Sequence, residues 1–377
     1  MKRMFVSAAL VALLVATSCA SLGSKSESDI ASKKQEAPKR QGWRAVKFGP
    51  LYGDVESVTY TRYDLADKFG EIVKGKCREK SVCKFNLKGD VVERASYNGD
   101  GSLSRKYVYK YDSQGNIVEY AEYNGDGSMS RKDVCKYDSQ GNNVEYAEYN
   151  GDGSMRDKEV YKYDSQGNKI ESAWYNGDGS LDSKYVYKYD SQGNKVEYAK
   201  YNGDGSLRSK SLSKYDSQGN EIERAEYNGD GSFSGKVLIK YDSQGNIIEC
   251  AMYSGDGSSS MKELLKHDSQ GNMIEYAMYN GDGSLVETVV CKYDLRGNRV
   301  EEAHYNGYGS LDWKDVYKYD SQGNEVVKAE YYGDGSLNWR MVYDYKYDSQ
   351  GNIIEHVPYN GETMPLYMEE RIIVYRK

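Results

Sequence analysis

A 26-residue unit repeats along most of this 377-residue chain, and that period limits what the chain can fold into. A Tyr-Asp pair begins at Tyr111, Tyr137, Tyr163, Tyr189, Tyr215 and Tyr241, and again at Tyr293 and Tyr319. His267 stands in for the tyrosine between them. The series opens one unit earlier at Phe85 and steps 28 residues from Tyr319 to Tyr347. A fixed period of this length marks a repeat architecture, in which each unit buries surface mainly against its neighbours.

Each unit holds two runs of strand-forming residues and two turns. Lys106-Tyr107-Val108-Tyr109-Lys110-Tyr111 is followed by the turn Asp112-Ser113-Gln114-Gly115-Asn116. Ile117-Val118-Glu119-Tyr120-Ala121-Glu122-Tyr123 then leads into Asn124-Gly125-Asp126-Gly127-Ser128. Asp near the start and Gly near the end of a short turn suit a type I turn closed by a left-handed residue. Leaving Ser113 to Asn116 unpaired predicts Lys110 opposite Glu119, Tyr111 opposite Val118 and Tyr109 opposite Tyr120. The columns favour this register: the Lys110 column is Lys in all eleven copies, and the Glu119 column is Glu in ten, Val327 being the exception. Lys110–Glu119, Lys136–Glu145 and Lys162–Glu171 are accordingly expected as cross-strand ion pairs, each contributing ~0.2–1 kcal/mol.

No connection is long enough for a crossover helix, so the strands run antiparallel. The expected fold is all-β: tandem 26-residue β-hairpins in a long antiparallel sheet. At ~4.8 Å per strand a ribbon of that many strands spans on the order of 100 Å, and twist makes such sheets coil or close. A coiled, spiral or solenoid-like sheet is therefore expected.

Mean hydropathy of −0.84 and 38% hydrophobic residues would by themselves suggest disorder. The 39 tyrosines, kept at fixed positions, argue for an ordered chain with thin aromatic packing. The N-terminus reads differently. Residues 1–18 form a signal peptide: Lys2 and Arg3 precede an apolar stretch too short to span a bilayer. Ala16-Thr17-Ser18-Cys19 resembles a bacterial lipobox, which implies that Cys19 is acylated. Residues 19–49, rich in Ser, Lys, Glu and Gln, read as a lipidated flexible tether. Residues 50–83 read as N-terminal capping strands, 84–357 as the repeat array and 358–377 as a C-terminal capping strand.

The pattern YKYDSQGN at Tyr109 to Asn116, and again at Tyr161 to Asn168, followed by a strand and Asn-Gly-Asp-Gly, resembles the YD repeat of RHS-type bacterial proteins. The resemblance covers roughly residues 84 to 357. It implies repeats that coil into a β-sheet shell, in some members around a toxin. Only about twenty residues follow Pro358, so a toxin cargo is not carried over.

Motifs that suggest chemistry have simpler readings. Asn124-Gly125-Asp126-Gly127-Ser128 looks like the middle of an EF-hand loop. Other copies place Trp174, Lys200 or Met252 where the first oxygen ligand should stand, so it reads as a hairpin turn. Besides Cys19 there are five cysteines, and Cys83, Cys135, Cys250 and Cys291 replace tyrosines in the columns. They form no metal-ligand spacing. Cys77 and Cys83 are the only near pair. His267, His304 and His356 lack a partnered nucleophile. No nucleophile elbow or phosphate loop is present, so no enzyme, metal or cofactor is expected. The formal charge of −7 falls to about −9 once Lys2 and Arg3 are removed, which argues against nucleic acid.

The expected protein is a non-catalytic, membrane-anchored lipoprotein of the bacterial envelope, most simply at the outer membrane. Its array would serve as a binding, adhesion or spacer module for a protein or glycan. One alternative is a glycan or cell-wall binder using aromatic columns, with Trp174, Trp313 and Trp339 as ligand-contacting residues. Another is a shell-like protein associated with a toxin or with secretion. Residues that vary between copies, such as Ser104, Arg105, Ile117, Asn143 and Lys169, are expected to form the partner-specific edge.

Overall fold

The computed structural model describes residues 51–68, 71–361 and 363–377. The signal peptide, Cys19 and the tether lie outside the described residues. The described chain is one antiparallel sheet of 25 strands. It begins with β1 (Val55–Lys68), β2 (Glu71–Phe85), β3 (Val91–Asn98), β4 (Leu103–Tyr111) and β5 (Ile117–Asn124). Hairpins of eight- and nine-residue strands then repeat to Tyr319, and the last long strand is Met368–Tyr375.

Both turns of the unit are built from their own side chains. In the first, Gly115 N–H donates to the Asp112 carbonyl at 3.2 Å and Asp112 N–H to the Asn116 carbonyl at 3.0 Å. Asp112 Oδ1 accepts the N–H groups of Gln114 and Asn116, both at 2.9 Å, and Oδ2 accepts Asn116 Nδ2 at 3.0 Å. In the second, Asp126 Oδ1 accepts the Ser128 N–H at 2.9 Å and its hydroxyl at 2.6 Å. One oxygen of that carboxylate thus holds the serine that ends the turn, which gives Asp-Gly-Ser a local role. The two glycines serve different needs. Gly127 has φ +85°, where a side chain is strained, whereas a Cβ on Gly125 would lie 2.3 Å from the Leu103 carbonyl oxygen.

The register matches the lysine ladder but differs at the turn. Lys110 faces Glu119 and Tyr109 faces Tyr120. Tyr111 faces Ile117, not Val118 as the simple count predicts, so Val118 is an extra, bulged residue. The reason is the three-residue loop: Asp112 closes on Asn116, leaving one residue too many on β5. The same shift recurs in the repeat hairpins from β2–β3 onward, for example at Lys136/Tyr137 and Lys162/Tyr163.

Successive hairpins join less completely. Pairing of β3 with β4 runs from Tyr97–Leu103 to Glu93–Val108 and stops there. Past that point the Tyr111 hydroxyl donates to the Val91 carbonyl at 2.7 Å. Tyr163 reaches the Asn143 carbonyl at 2.7 Å and Tyr215 the Lys195 carbonyl at 2.8 Å in the same way. The tyrosines of the Tyr-Asp pairs from Tyr111 to Tyr319 therefore satisfy a carbonyl that the splayed backbone leaves behind, and at the last pair Tyr345 does so at the Glu325 carbonyl while Tyr347 donates to Asp320. His267 cannot reach as far, and its Nδ1 is buried without a hydrogen-bond partner.

The expectation of an open coiled or solenoid-like sheet is corrected at the ends. β1 pairs with Met368–Tyr375 from Val55–Tyr375 to Tyr63–Met368. That last strand also meets Ile353–Asn360 through Glu355–Glu370 and His356–Glu369. The sheet thus closes into a barrel of 24 strands; the two-residue strand Met364–Pro365 merely fills the seam beside Ile353–Asn360. Closure removes the two edges that an open meander would expose.

The seam is held by a buried carboxylate. Glu369 is 2% exposed and accepts from the Tyr60 hydroxyl at 2.5 Å, Arg62 Nη2 at 2.6 Å and His356 Nδ1 at 3.0 Å. Burial alone would raise its pKa, but the hydrogen bonds from His356, Tyr60 and Arg62 outweigh it and hold the carboxyl below its ordinary value. Beside it Leu51, Val55, Val58, Cys83, Phe85 and Val91 form an apolar cluster with Tyr109, Ile373 and Tyr375 packed on it.

Glu369→Gln leaves Arg62 poorly compensated, and breaking such a buried pair costs about 3–5 kcal/mol. Hydrogen exchange should accelerate in β1 and Met368–Tyr375 while the hairpins around Tyr189 keep their protection. Because the folded pKa is depressed, this contribution is full above the ordinary carboxylate range and is lost as pH falls below it. A seam that opens no faster in the variant or in acid would contradict this role.

Candidate recognition face

Strand alternation sorts the columns onto two faces. On one, Lys106 lies over the Tyr123 ring at 5.3 Å, Lys110 Nζ is 2.8 Å from Glu119 Oε1, and Ala121 is buried between them. Lys136–Glu145 at 2.7 Å and Lys162–Glu171 at 2.8 Å repeat the arrangement. Lysines of the next hairpin also reach back: Lys132 lies 3.2 Å from the second oxygen of Glu119. Glu119, Glu197, Glu249 and Glu301 thus bind their own hairpin and the one that follows. The hydrogen bond from Lys110 and the Lys132 charge lower the Glu119 pKa against the opposing effect of burial. Lys110 is 63% exposed, so each pair is individually weak.

The other face carries the columns of Arg105, Tyr107, Tyr109, Ile117, Tyr120 and Glu122. Tyr120 stacks on Tyr107 with ring centroids 6.0 Å apart and packs on Tyr109 at 5.3 Å. Arg105 Nη1 is 2.5 Å from Glu122 Oε1. Lys169 sits between the Tyr161 and Tyr187 rings at 5.1 and 5.6 Å. Burial raises the Tyr111 pKa to about 12.

The two faces differ in one decisive respect. The Lys–Glu face hardly changes: Ala holds the Ala121 column from Ala95 to Ala329, and Tyr holds the Tyr123 column from Tyr97 to Tyr359. The opposite face changes from copy to copy. The Tyr107 column reads Ser81, Tyr107, Asp133, Glu159, Tyr185, Ser211, Val237, Glu263, Val289 and Asp315. The Glu122 column runs through Trp174, Lys200, Met252 and His304. Sequence reasoning placed variation at Ser104, Arg105 and the Ile117 column and missed that the Tyr107, Tyr120 and Glu122 columns share that face. Scoring variability with a period of two would have found it.

The three tryptophans all stand on this variable face, yet they do not form one platform. Trp313 stacks on His304, with centroids 3.6 Å apart and planes at 15°. Trp339 lies under Lys328 Nζ at 5.4 Å. Trp174, 39% exposed, lies several hairpins away on Lys169–Asn176. No disulfide joins the described cysteines, and no three His, Cys, Asp or Glu side chains converge among the described residues.

Comparison with known proteins gives only weak likenesses. No family model matches, and no curated protein matches. A solved structure of the toxin component TcdB2-TccC3 is 11% identical, with a TM-score of 0.29, over 76% of this chain and 19% of that one. The Photorhabdus luminescens Tc holotoxin pore is 11% identical, with a TM-score of 0.28, over 78% of this chain and 20% of that one. A porin-like protein from Bacteroides uniformis is 9% identical, with a TM-score of 0.26, over 85% and 98% of the two chains. This chain spans about a fifth of the length of the toxin structures. At such scores the likenesses carry no argument about activity.

A double-mutant cycle on Lys162 and Glu171 should give a coupling of ~0.2–1 kcal/mol that shrinks with added salt. Tyr163→Phe, which strands the Asn143 carbonyl, should cost about 1 kcal/mol and be insensitive to salt. Equal salt dependence for both would mean the hydroxyl bond is not what joins neighbouring hairpins.

Proposed function

We propose that this chain is a non-catalytic bacterial envelope lipoprotein, anchored through acylated Cys19, whose closed hairpin array presents its variable face to a protein or glycan ligand. The observation that supports this reading is the segregation of change onto one face. Turns, ladder and the Ala121 column all stay fixed, so folding does not require the Tyr107 and Glu122 columns to differ. Residues free of a folding role but changing between near-identical units are where partner choice is set. Because Trp313 and Trp339 are already engaged by His304 and Lys328, a protein ligand is favoured over a stacked sugar.

A second reading, a shell around a polypeptide cargo, draws support from the closure of the sheet and from the YD resemblance. A cargo encoded alongside should then copurify and resist protease.

Binding to panels of envelope proteins and glycans tests the first reading. Trp174→Ala with Lys200→Glu on the variable face should reduce binding tenfold or more, while Lys110→Gln with Glu119→Gln on the constant face should leave it within twofold. Equal losses from both faces would remove the basis for the proposal. Trp313→Ala with Trp339→Ala should abolish binding only if the ligand is a glycan. Membrane fractionation of Cys19→Ala should release the protein; retention would argue against the lipid anchor.

A further inference from the structure

One part of the variable face has a chemistry of its own. On the neighbouring strands Ile247–Ser254, Ser259–His267 and Met273–Asn280, Met252 faces Met261, while Glu263 faces Cys250 on one side and Met278 on the other. The register therefore places three methionines in positions adjacent to Glu263. Facing side chains stand roughly 4.5–5.5 Å apart at Cβ and diagonal ones about 7–8 Å, within reach of flexible methionine arms. The corresponding columns elsewhere hold Arg105, Arg131, Glu122, Glu148 and Lys200, so these methionines are not inherited from the shared unit.

Glu263 is the second, independent observation. It is 1% exposed, its Oε1 accepts the Tyr276 hydroxyl at 3.1 Å, and its Oε2 has no hydrogen-bond partner. A buried oxygen with no hydrogen-bond partner calls for an explanation, and a bound metal is one. The surrounding donors say which kind. Hard cations take six or more oxygens, and zinc takes thiolates and imidazoles. Thioethers select soft monovalent metal.

We propose that Met252, Met261 and Met278 bind copper(I), with the unpartnered Glu263 oxygen beside them as a further donor. No electron transfer is involved; the metal arrives already reduced. The bland alternative is that these methionines only pack the sheet. The proposal deepens the reading of the variable face as a recognition surface and rests on it only in placing the ligand there.

Silver(I), a redox-inert stand-in, tests it on the full chain labelled at the methionine methyl groups with carbon-13. The methyl signals of Met252, Met261 and Met278 should move together and saturate at one equivalent, while Met129 and Met155 stay in place. Met252→Leu, which keeps the apolar volume, should weaken binding at least tenfold with the melting temperature retained. Glu263→Gln should weaken it as well. Methyl signals that do not move, that move throughout the chain, or that respond unchanged in Met252→Leu would overturn the site. The unaltered chain decides the matter even where a variant folds poorly. A negative result would leave the protein-ligand reading untouched, because that reading depends on Trp174 and Lys200.

Discussion

A strand must be hydrogen-bonded on both sides or expose an edge, and a meander always has two edges. In this protein the problem is solved once, where β1 meets Met368–Tyr375. Everything between is a chain of hairpins, each able to form locally from its own turns. The seam alone joins residues some three hundred positions apart, as in the Tyr60–Glu369 and Asn352–Tyr52 bonds. Local contacts form early and cheaply, whereas distant ones carry the loop-closure cost. It is consistent that the seam gathers the buried Glu369 and an apolar cluster around Leu51 and Val55.

The hairpins themselves separate two duties by face. Asp112, Asn116, Asp126 and Ser128 complete their turns without help from any other hairpin. Lys110, Lys132 and Glu119 then tie one hairpin to the next. With folding carried by the turns and one face, the other face is free to diverge. This explains how Trp174, Lys200 and Met252 can occupy one column of an otherwise uniform sheet. It also explains why buried polar groups such as Glu263 and Asp315 collect there.

Much of this was legible in the sequence, because a column of identical residues is a statement about environment. Lys110 opposite Glu119 followed from charge conservation across copies within the chain, and Tyr109 opposite Tyr120 followed with it. The bulge at Val118 did not, since it depends on whether Asp112 closes on Asn116 or one residue further along, and both choices preserve the ladder. Closure was equally hidden. Met368–Tyr375 shares no motif with the units, and its pairing with β1 depends on the accumulated curvature of the whole sheet. The methionine cluster was missed because Met252, Met261 and Met278 are scattered in sequence and meet only through register.

Closure also changes what duplication means for this molecule. In an open ribbon an added unit lengthens the particle and leaves its cross-section alone. In a ring sealed by β1 and Met368–Tyr375, each new hairpin inserts two strands, or roughly 10 Å, into the girth. A recombination event that copies one unit would therefore widen the hoop while its height, set by eight- and nine-residue strands, stays the same. Calibre, not reach, is the property that copy number would tune.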